Sequence, residues 1–432
     1  MSKSNFFGGL IKTNPTLPTA NSGANYGVAS GIWNLEEALS FRKAGDWPIP
    51  ASVPGAPTIT SVTGGNAQVA VAFNANASTG GLDVTSFTAT ASSGQTASGS
   101  SSPLTVTSLT NGTAVTFTVT ATNAAGTSSA SSASSSVTPA AASRSLFAGG
   151  LVSSYINVIE YVTTATTGNV TDFGDLTVSI SSMAGLSSVT RGVFGGGHTG
   201  ARQNVIQYVT IASTGNATDF GDLTQSRDVA GDGSSGTRGV FAGGHTGSAV
   251  TNIMDYITIA STGNATDFGD LQEAKTPTGS GASTTRALFA GGSASSGTTN
   301  SIDYITIAST GDGTNFGNLS SGSMNQHTGA SNDTRCFFAG GFKNGTTLIN
   351  EISYVTIAST GSTTDFGDLL GTRRLLTACA STTRGLIGGG IASGIDNVIQ
   401  YITIGSTGDA TDFGDLSANK YAPEATATYG GV

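Results

Sequence analysis

Carboxylates and histidines are the residues of this chain whose types and spacing could do chemistry. Asp-Phe-Gly-Asp sets two carboxylates three apart at Asp172/Asp175, Asp219/Asp222, Asp267/Asp270, Asp365/Asp368 and Asp412/Asp415. Paired carboxylates at that spacing suit Ca²⁺. The fourth copy carries Asn315 and Asn318 instead, which keeps the side-chain oxygens and loses both charges. A motif that tolerates this loss is expected to make turn hydrogen bonds, or to pair with recurring arginines, and not to hold a metal. His198 and His245 stand at equivalent places of a repeat and His327 stands alone, with no nucleophile–base or metal-ligand spacing around any of them. Cys336 and Cys379 belong to no Cys-x-x-Cys pair; they read as small buried residues, and a disulfide between them is not favoured. No catalytic residue, metal or cofactor is expected, and the chain is not expected to be an enzyme.

The elements that would position these residues repeat six times. An arginine opens each copy at Arg144, Arg191, Arg238, Arg286, Arg335 and Arg384, spaced 47, 47, 48, 49 and 49 residues apart. A tyrosine recurs at Tyr161, Tyr208, Tyr256, Tyr304, Tyr354 and Tyr401, and a phenylalanine at Phe173, Phe220, Phe268, Phe316, Phe366 and Phe413. Each unit reads as four strands: a small-residue run, Arg-x-x-Phe-x ended by two glycines, an Ile-x-Tyr-Ile-Thr-Ile alternation, and a short strand with Phe-Gly-Asp-Leu after a Ser-Thr-Gly hairpin. A period of about 50 residues with short strands predicts a propeller array, in which stacked neighbours bury faces that one unit cannot bury alone. The first copy lacks a first strand, while Lys420–Thr428 reads as one. The C-terminal segment is therefore expected to complete the first blade, remove an open edge and give six blades.

The apolar run ending in Gly-Gly, the tyrosine about a dozen residues later and the later aromatic resemble the kelch repeat over residues 141–432. The kelch tryptophan is replaced by the six phenylalanines. The resemblance implies an all-β, six-bladed kelch-like β-propeller. The copper site of kelch-type oxidases, built from His and Tyr, has no counterpart here. The Asp-Phe-Gly-Asp hairpin also resembles the structural Asp-box of sialidases.

A chain of 432 residues has room for two or three domains. A net charge of −9, with no basic cluster, argues against a nucleic-acid partner. The first residues hold an apolar run too short for a secretion signal or a membrane span, so no membrane insertion is expected, and export would be by lysis or within a particle.

Residues 1–50 read as an attachment segment. Asn34–Gly45 has the pattern of one short helix, with Asn34 as N-cap and Glu37 at the third helical position. So short a helix with exposed apolar groups needs a partner surface, and Trp33, Leu35, Leu39, Phe41 and Trp47 are the expected contacts. Residues 27–48, Gly-Ile-Trp-Asn-Leu-Glu-Glu followed by Arg-Lys-Ala-Gly-Asp-Trp-Pro, resemble a segment of virion proteins of tailed phages, notably those of marine cyanobacteria. That implies other virion proteins as partners, a virion location and many copies per particle. Residues 51–140 carry period-two runs at Thr58–Val62, Gln68–Phe73, Val84–Thr90 and Leu109–Asn123, with Val137–Pro139 closing the unit, which predicts a β-sandwich. Through Leu109–Gly126 this unit resembles fibronectin type III, with Phe117 at the usual tyrosine. Ser128–Ser136 is expected to be part last strand and part linker.

The segments joining second to third and fourth to first strands differ between copies, whereas the hairpins are nearly identical. One variable loop set on a common scaffold is arranged as a binding surface. The expected contacts are His198, Arg202, His245, Phe342 and Lys343, and the expected ligand is a host cell-surface glycan held by many weak contacts. The alternatives are a structural capsid or tail decoration protein without ligand, and a glycan-acting enzyme.

Overall fold

Runs rich in Val, Ile, Thr and Phe become strands throughout this chain, as β-branched and aromatic side chains favour. The structure is a computed structural model that describes residues 51–139 and 143–427, and every regular element among them is a β-strand. The expected N-terminal helix, with Trp33, Leu35, Leu39, Phe41 and Trp47, lies outside the described residues. No helix among the described residues is long and apolar enough to cross a membrane. Two compact units divide between Ala142 and Ser143.

In residues 51–139, two antiparallel sheets share one core. One has the order Thr58–Gly65, Gln68–Asn74, Leu104–Thr107; the other has Thr96–Gly99, Ser86–Ala91, Phe117–Asn123, Gly126–Thr127. Alternate residues turn inward, so Val69, Val71 and Phe73 meet Phe87, Ala89, Phe117 and Val119. The strand expected from Leu109 begins only at Phe117, because Asn111–Gly112 forms a turn with Gly112 at a φ of 79°.

Ser128–Ser134, expected to be part strand and part linker, runs along a sheet edge without forming a regular strand. The N–H groups of Ser128, Ser131 and Ser134 donate to the carbonyls of Ala121, Val119 and Phe117 at 2.8, 2.9 and 2.9 Å. Their hydroxyl oxygens accept from the N–H groups of the same three residues at 3.0 Å each. Every third residue of one segment thus meets every second residue of a strand, so the segment carries one extra residue for each pair of strand residues. The serines cover an edge that would otherwise be open.

In residues 143–427 each repeat folds into a four-stranded antiparallel sheet. The third sheet, for example, runs Gly231–Ser234, Arg238–Ala242, Ile253–Thr258, Thr266–Asp270. The first sheet draws on both ends of the unit: Glu424–Ala427 pairs with Arg144–Ala148, followed by Val158–Thr163 and Thr171–Asp175. Second strands such as Arg238–Ala242 are buried on both faces, because a sheet lies on either side. Each core joins consecutive sheets: Phe173 packs with Phe194, Phe220 with Phe241, Phe268 with Phe289, Phe316 with Phe338 and Phe366 with Ile387. Phe413 of the sixth sheet packs with Phe147 of the first, so the order is cyclic. The recurring phenylalanine reaches these cores through a bulge: Asp172 pairs with Glu160 and Gly174 with Ile159, leaving Phe173 unpaired and 2% exposed.

Candidate functional site

The Asp-Phe-Gly-Asp strands and the Ser-Thr-Gly hairpins meet at one rim, and their backbones join neighbouring sheets. Gly215 N donates to Phe173 O and Ala217 N to Asp175 O, both at 2.7 Å. The Asn216 Oδ1 accepts from Asp175 N at 3.0 Å. Gly168 N to Phe413 O at 2.8 Å repeats this link from the first sheet to the sixth. Gly174 has a φ of 145°, and a Cβ there would lie 2.5 Å from Gly215 O, so only glycine lets the two backbones approach. The link runs through main-chain groups of the motif, which is why the fourth copy keeps it with Asn315 and Asn318: Gly361 N still donates to Phe316 O at 2.9 Å.

Of the two roles expected for the motif, hydrogen bonds at the turn form, while Arg191 and Arg384 make other contacts. Arg191 lies 4.4 Å from the Tyr208 ring centroid and donates from Nη1 to Ile259 O of the next sheet at 2.8 Å. Arg384 does the same over Tyr401 at 4.5 Å, with Ala165 O of the first sheet at 2.8 Å. Tyr208 in turn meets Phe220 edge-on at 5.8 Å. A planar guanidinium can stack on a ring and donate sideways at once, which a lysine could not do as well.

The opposite rim carries the variable loops, where fourth-to-first connections bridge second-to-third ones: Ser181 with His198, Asp228 with His245, Arg374 with Ile391 and Leu151 with Tyr421. All five expected contact residues stand on this rim. His198 Nδ1 lies 2.7 Å from Tyr155 Oη and accepts from Gly200 N at 3.2 Å. His245 Nδ1 accepts from Gly247 N at 2.9 Å and lies 3.3 Å from Arg202 Nη2. Both Nδ1 atoms are acceptors, so the hydrogen of each neutral ring is assigned to Nε2. Arg202 also pairs with Asp228 at 3.4 Å. Phe342 and Lys343 were expected in a loop; they form a short strand between Met324–Asn325 and Thr347–Leu348, and Arg374 lies 4.8 Å from the Phe342 centroid. Tyr155, Asp228 and Arg374 were missed by the sequence reading, because nothing in their own repeats marks them as neighbours of these residues.

Beneath the loops, the polar contacts at the third residue of the third strand differ from junction to junction. Glu160 takes Lys420 at 2.7 Å, Asp255 takes Arg227 at 2.9 Å and Asp303 takes Lys275 at 3.3 Å, all fully or nearly fully buried. Burial lowers the pKa of Arg227 and of Lys275, and their acidic partners oppose it. Where the cation is replaced by Ile180, the acid is replaced by Gln207, whose Oε1 accepts from Thr177 N and Oγ1 at 2.8 Å each. At the equivalent positions of the fifth copy stand Met324 and Ser353, neither of them charged. In the Glu160, Asp255 and Asp303 junctions a buried cation meets a buried acid, as its desolvation cost requires, while in the sixth Arg373 pairs with Asp396 and Gln400 accepts from Leu370 N. Comparing the repeats position by position would have exposed this signal.

At the centre, the first strands surround a channel that opens on the loop rim in a cavity of about 660 Å³, part of it open solvent. Val229, Pro277 and Leu375 line its mouth, and Asp232, Glu424 and His327 lie among its walls. Five mouth residues, Ser182, Val229, Gln326, Leu375 and Ala422, have φ between 50° and 55°. Their backbones link around the mouth, with Val229 N donating to Ser182 O, Ser182 N to Ala422 O, Ala422 N to Leu375 O and Leu375 N to Gln326 O. Pro277, at the sixth place, has no N–H to continue the series.

Cys336 and Cys379 are buried free thiols. No group of three or more His, Cys, Asp or Glu is placed to hold a metal among the described residues. No protein-family model matches this chain, and no curated protein matches it.

Proposed function

We propose that this chain is a phage virion protein whose residues 143–427 are a six-bladed kelch-like β-propeller, held out by a fibronectin type III-like spacer, with the loop rim recognising a glycan of the host surface. The observation that carries this reading is the asymmetry between the rims. One is built six times from the same backbone contacts, while the other carries loops of differing sequence on that constant base. His198, Arg202, His245, Phe342 and Lys343 offer the ring faces and polar groups that suit a sugar, and many copies on one particle would multiply a weak contact. N-terminal residues 1–50 would join other virion proteins. In this reading the chain binds and does not catalyse.

The internal partners of His198, Arg202 and Phe342 favour a second reading, a decoration protein whose loop rim is closed on itself. The test uses the full chain, multimerised and fluorescently labelled, on marine cyanobacterial cells and on their isolated envelope polysaccharide. Saturable binding, reduced at least about tenfold when loops 198–204 and 342–350 are replaced by Gly/Ser, supports recognition. Absence of binding at high valency supports the decoration reading instead.

A further inference from the structure

The six first strands read AGLS, GDGS, GSGA, TGAS, TACA and EATA, so Asp232 and Glu424 are the only charged residues in them. They belong to the third and the first sheet, and they converge on the strand of the second sheet between them. Gly185 N donates to Asp232 Oδ2 at 3.4 Å, and the Glu424 carboxyl lies beside the same residue. A Cβ on Gly185 would lie 2.7 Å from Glu424 Oε1, so glycine leaves the room that this carboxyl occupies. Glu160, Asp255 and Asp303 each have an internal Lys or Arg, whereas no ion pair to a cation forms at Asp232 or Glu424 among the described residues. Glu424 is also the first residue of the strand that closes the first sheet from the C-terminal side.

Two half-buried like charges in the wall of one narrow channel, with one main-chain donor between them, cannot both ionise cheaply. Burial pushes Asp232 up to about 7. Burial, and then the charge of Asp232, push Glu424 well above the ordinary carboxylate range. The N–H groups of Gly185 and Ala425 and the hydroxyl of Ser280 oppose these shifts without cancelling them. The other titratable groups facing the pair add no positive charge. Cys336 of the fifth sheet is pushed up by burial and by Asp232, and Cys379 of the sixth is pushed up to about 12 by burial, so both thiols stay neutral. His327, in the wall of the same cavity, is pushed down to about 3 by burial and Lys275, and is neutral as well.

We propose that Asp232 and Glu424 form a proton-dependent latch on the C-terminal strand: while at least one of them holds a proton the strand stays in the first sheet, and when both ionise their repulsion loosens it and opens the ring at its seam. Both acids are held above their unfolded-state values. The stability they contribute is thus complete below the ordinary carboxylate range and is lost as pH rises through about 7 and beyond, the reverse of a salt-bridged acid. The latch depends only on the first strands and not on what the loop rim binds.

The test is hydrogen exchange on the full chain at about pH 6 and about pH 8.5, corrected for the intrinsic pH effect, with residues 145–148 and 424–427 read separately from the second-sheet strand 191–195. The expected result is opening of the seam increased about tenfold or more at the higher pH, with residues 191–195 unchanged, and a flattened response in Glu424→Gln. Asp232→Asn makes the same test from the other strand should Glu424→Gln fail to fold. Equal protection at both pH values, a loss spread evenly over all sheets, or a pH response that survives in both variants would each overturn the latch.

Discussion

The hairpin rim and the loop rim of residues 143–427 join the same six sheets by different means. At the hairpin rim every junction uses main-chain hydrogen bonds of one pattern, from Gly215 N to Phe173 O round to Gly168 N to Phe413 O. At the loop rim main-chain bonds also recur, as from Val229 N to Ser182 O, but the side-chain contacts beneath change with the junction: Arg227 with Asp255, Thr177 with Gln207, Arg373 with Asp396. A main-chain joint demands glycine at the close approach, which keeps the hairpin motif uniform. A side-chain joint asks only that the two partners match, which leaves the surrounding loop free to vary. The rim that varies is thus the one whose scaffold contacts tolerate variation.

Breaking one joint of each kind sharpens this contrast. The largest effect is expected at the loop rim from Asp255→Ala, which strands the buried Arg227 and removes the acceptor of Thr224 N and Oγ1. A loss of about 3–5 kcal/mol in urea denaturation is expected, because an unpaired charge remains desolvated. Gln207→Ala, at the same place of the second sheet, is expected to cost only about 1–3 kcal/mol, since it strands neutral donors. Equal losses would show that the charge of the pair is immaterial.

At the hairpin rim, Gly269→Ala places a Cβ 2.6 Å from Gly311 O at a φ of 139°. Backbone strain alone predicts a loss of about 1–3 kcal/mol, read as a fall in Tm. A Gly269→Ala protein as stable as the parent would mean that the hairpins separate without cost and that the rim is not a joint. The smallest effect is expected on the outer surface of the loop rim. Lys343→Ser should change stability by less than about 0.5 kcal/mol, while host-cell binding of the multimerised chain falls. A larger loss of stability would place Lys343 among the scaffold residues.

Much of this arrangement is legible in the sequence, and the reasons can be traced to particular residues. Period-two alternation is visible where a strand lies between two cores, as in Ile253–Thr258, where Met254 and Tyr256 face one core and Ile257 the other. The first strands are short and made of small residues, yet their place is set by the regular interval before each arginine. The Ser128–Ser134 run misleads because its composition suits a linker, and its threefold spacing acquires meaning only against the strand Phe117–Asn123. Phe342 and Lys343 looked like loop residues because a two-residue strand is too short to show alternation.

By itself, the sequence determined the repeat, the strand pattern within each copy and the contrast between uniform hairpins and variable loops, because each of these is a local property that recurs at a readable interval. Only the tertiary structure decided who meets whom across copies. The arginines stack on tyrosines and reach the next sheet, Asp255 finds Arg227 from the preceding connection, and Asp232 and Glu424, far apart along the chain, converge on Gly185. These contacts depend on the rotation from one sheet to the next and on the exclusion of water between them, and neither is written in the order of residues along a single strand.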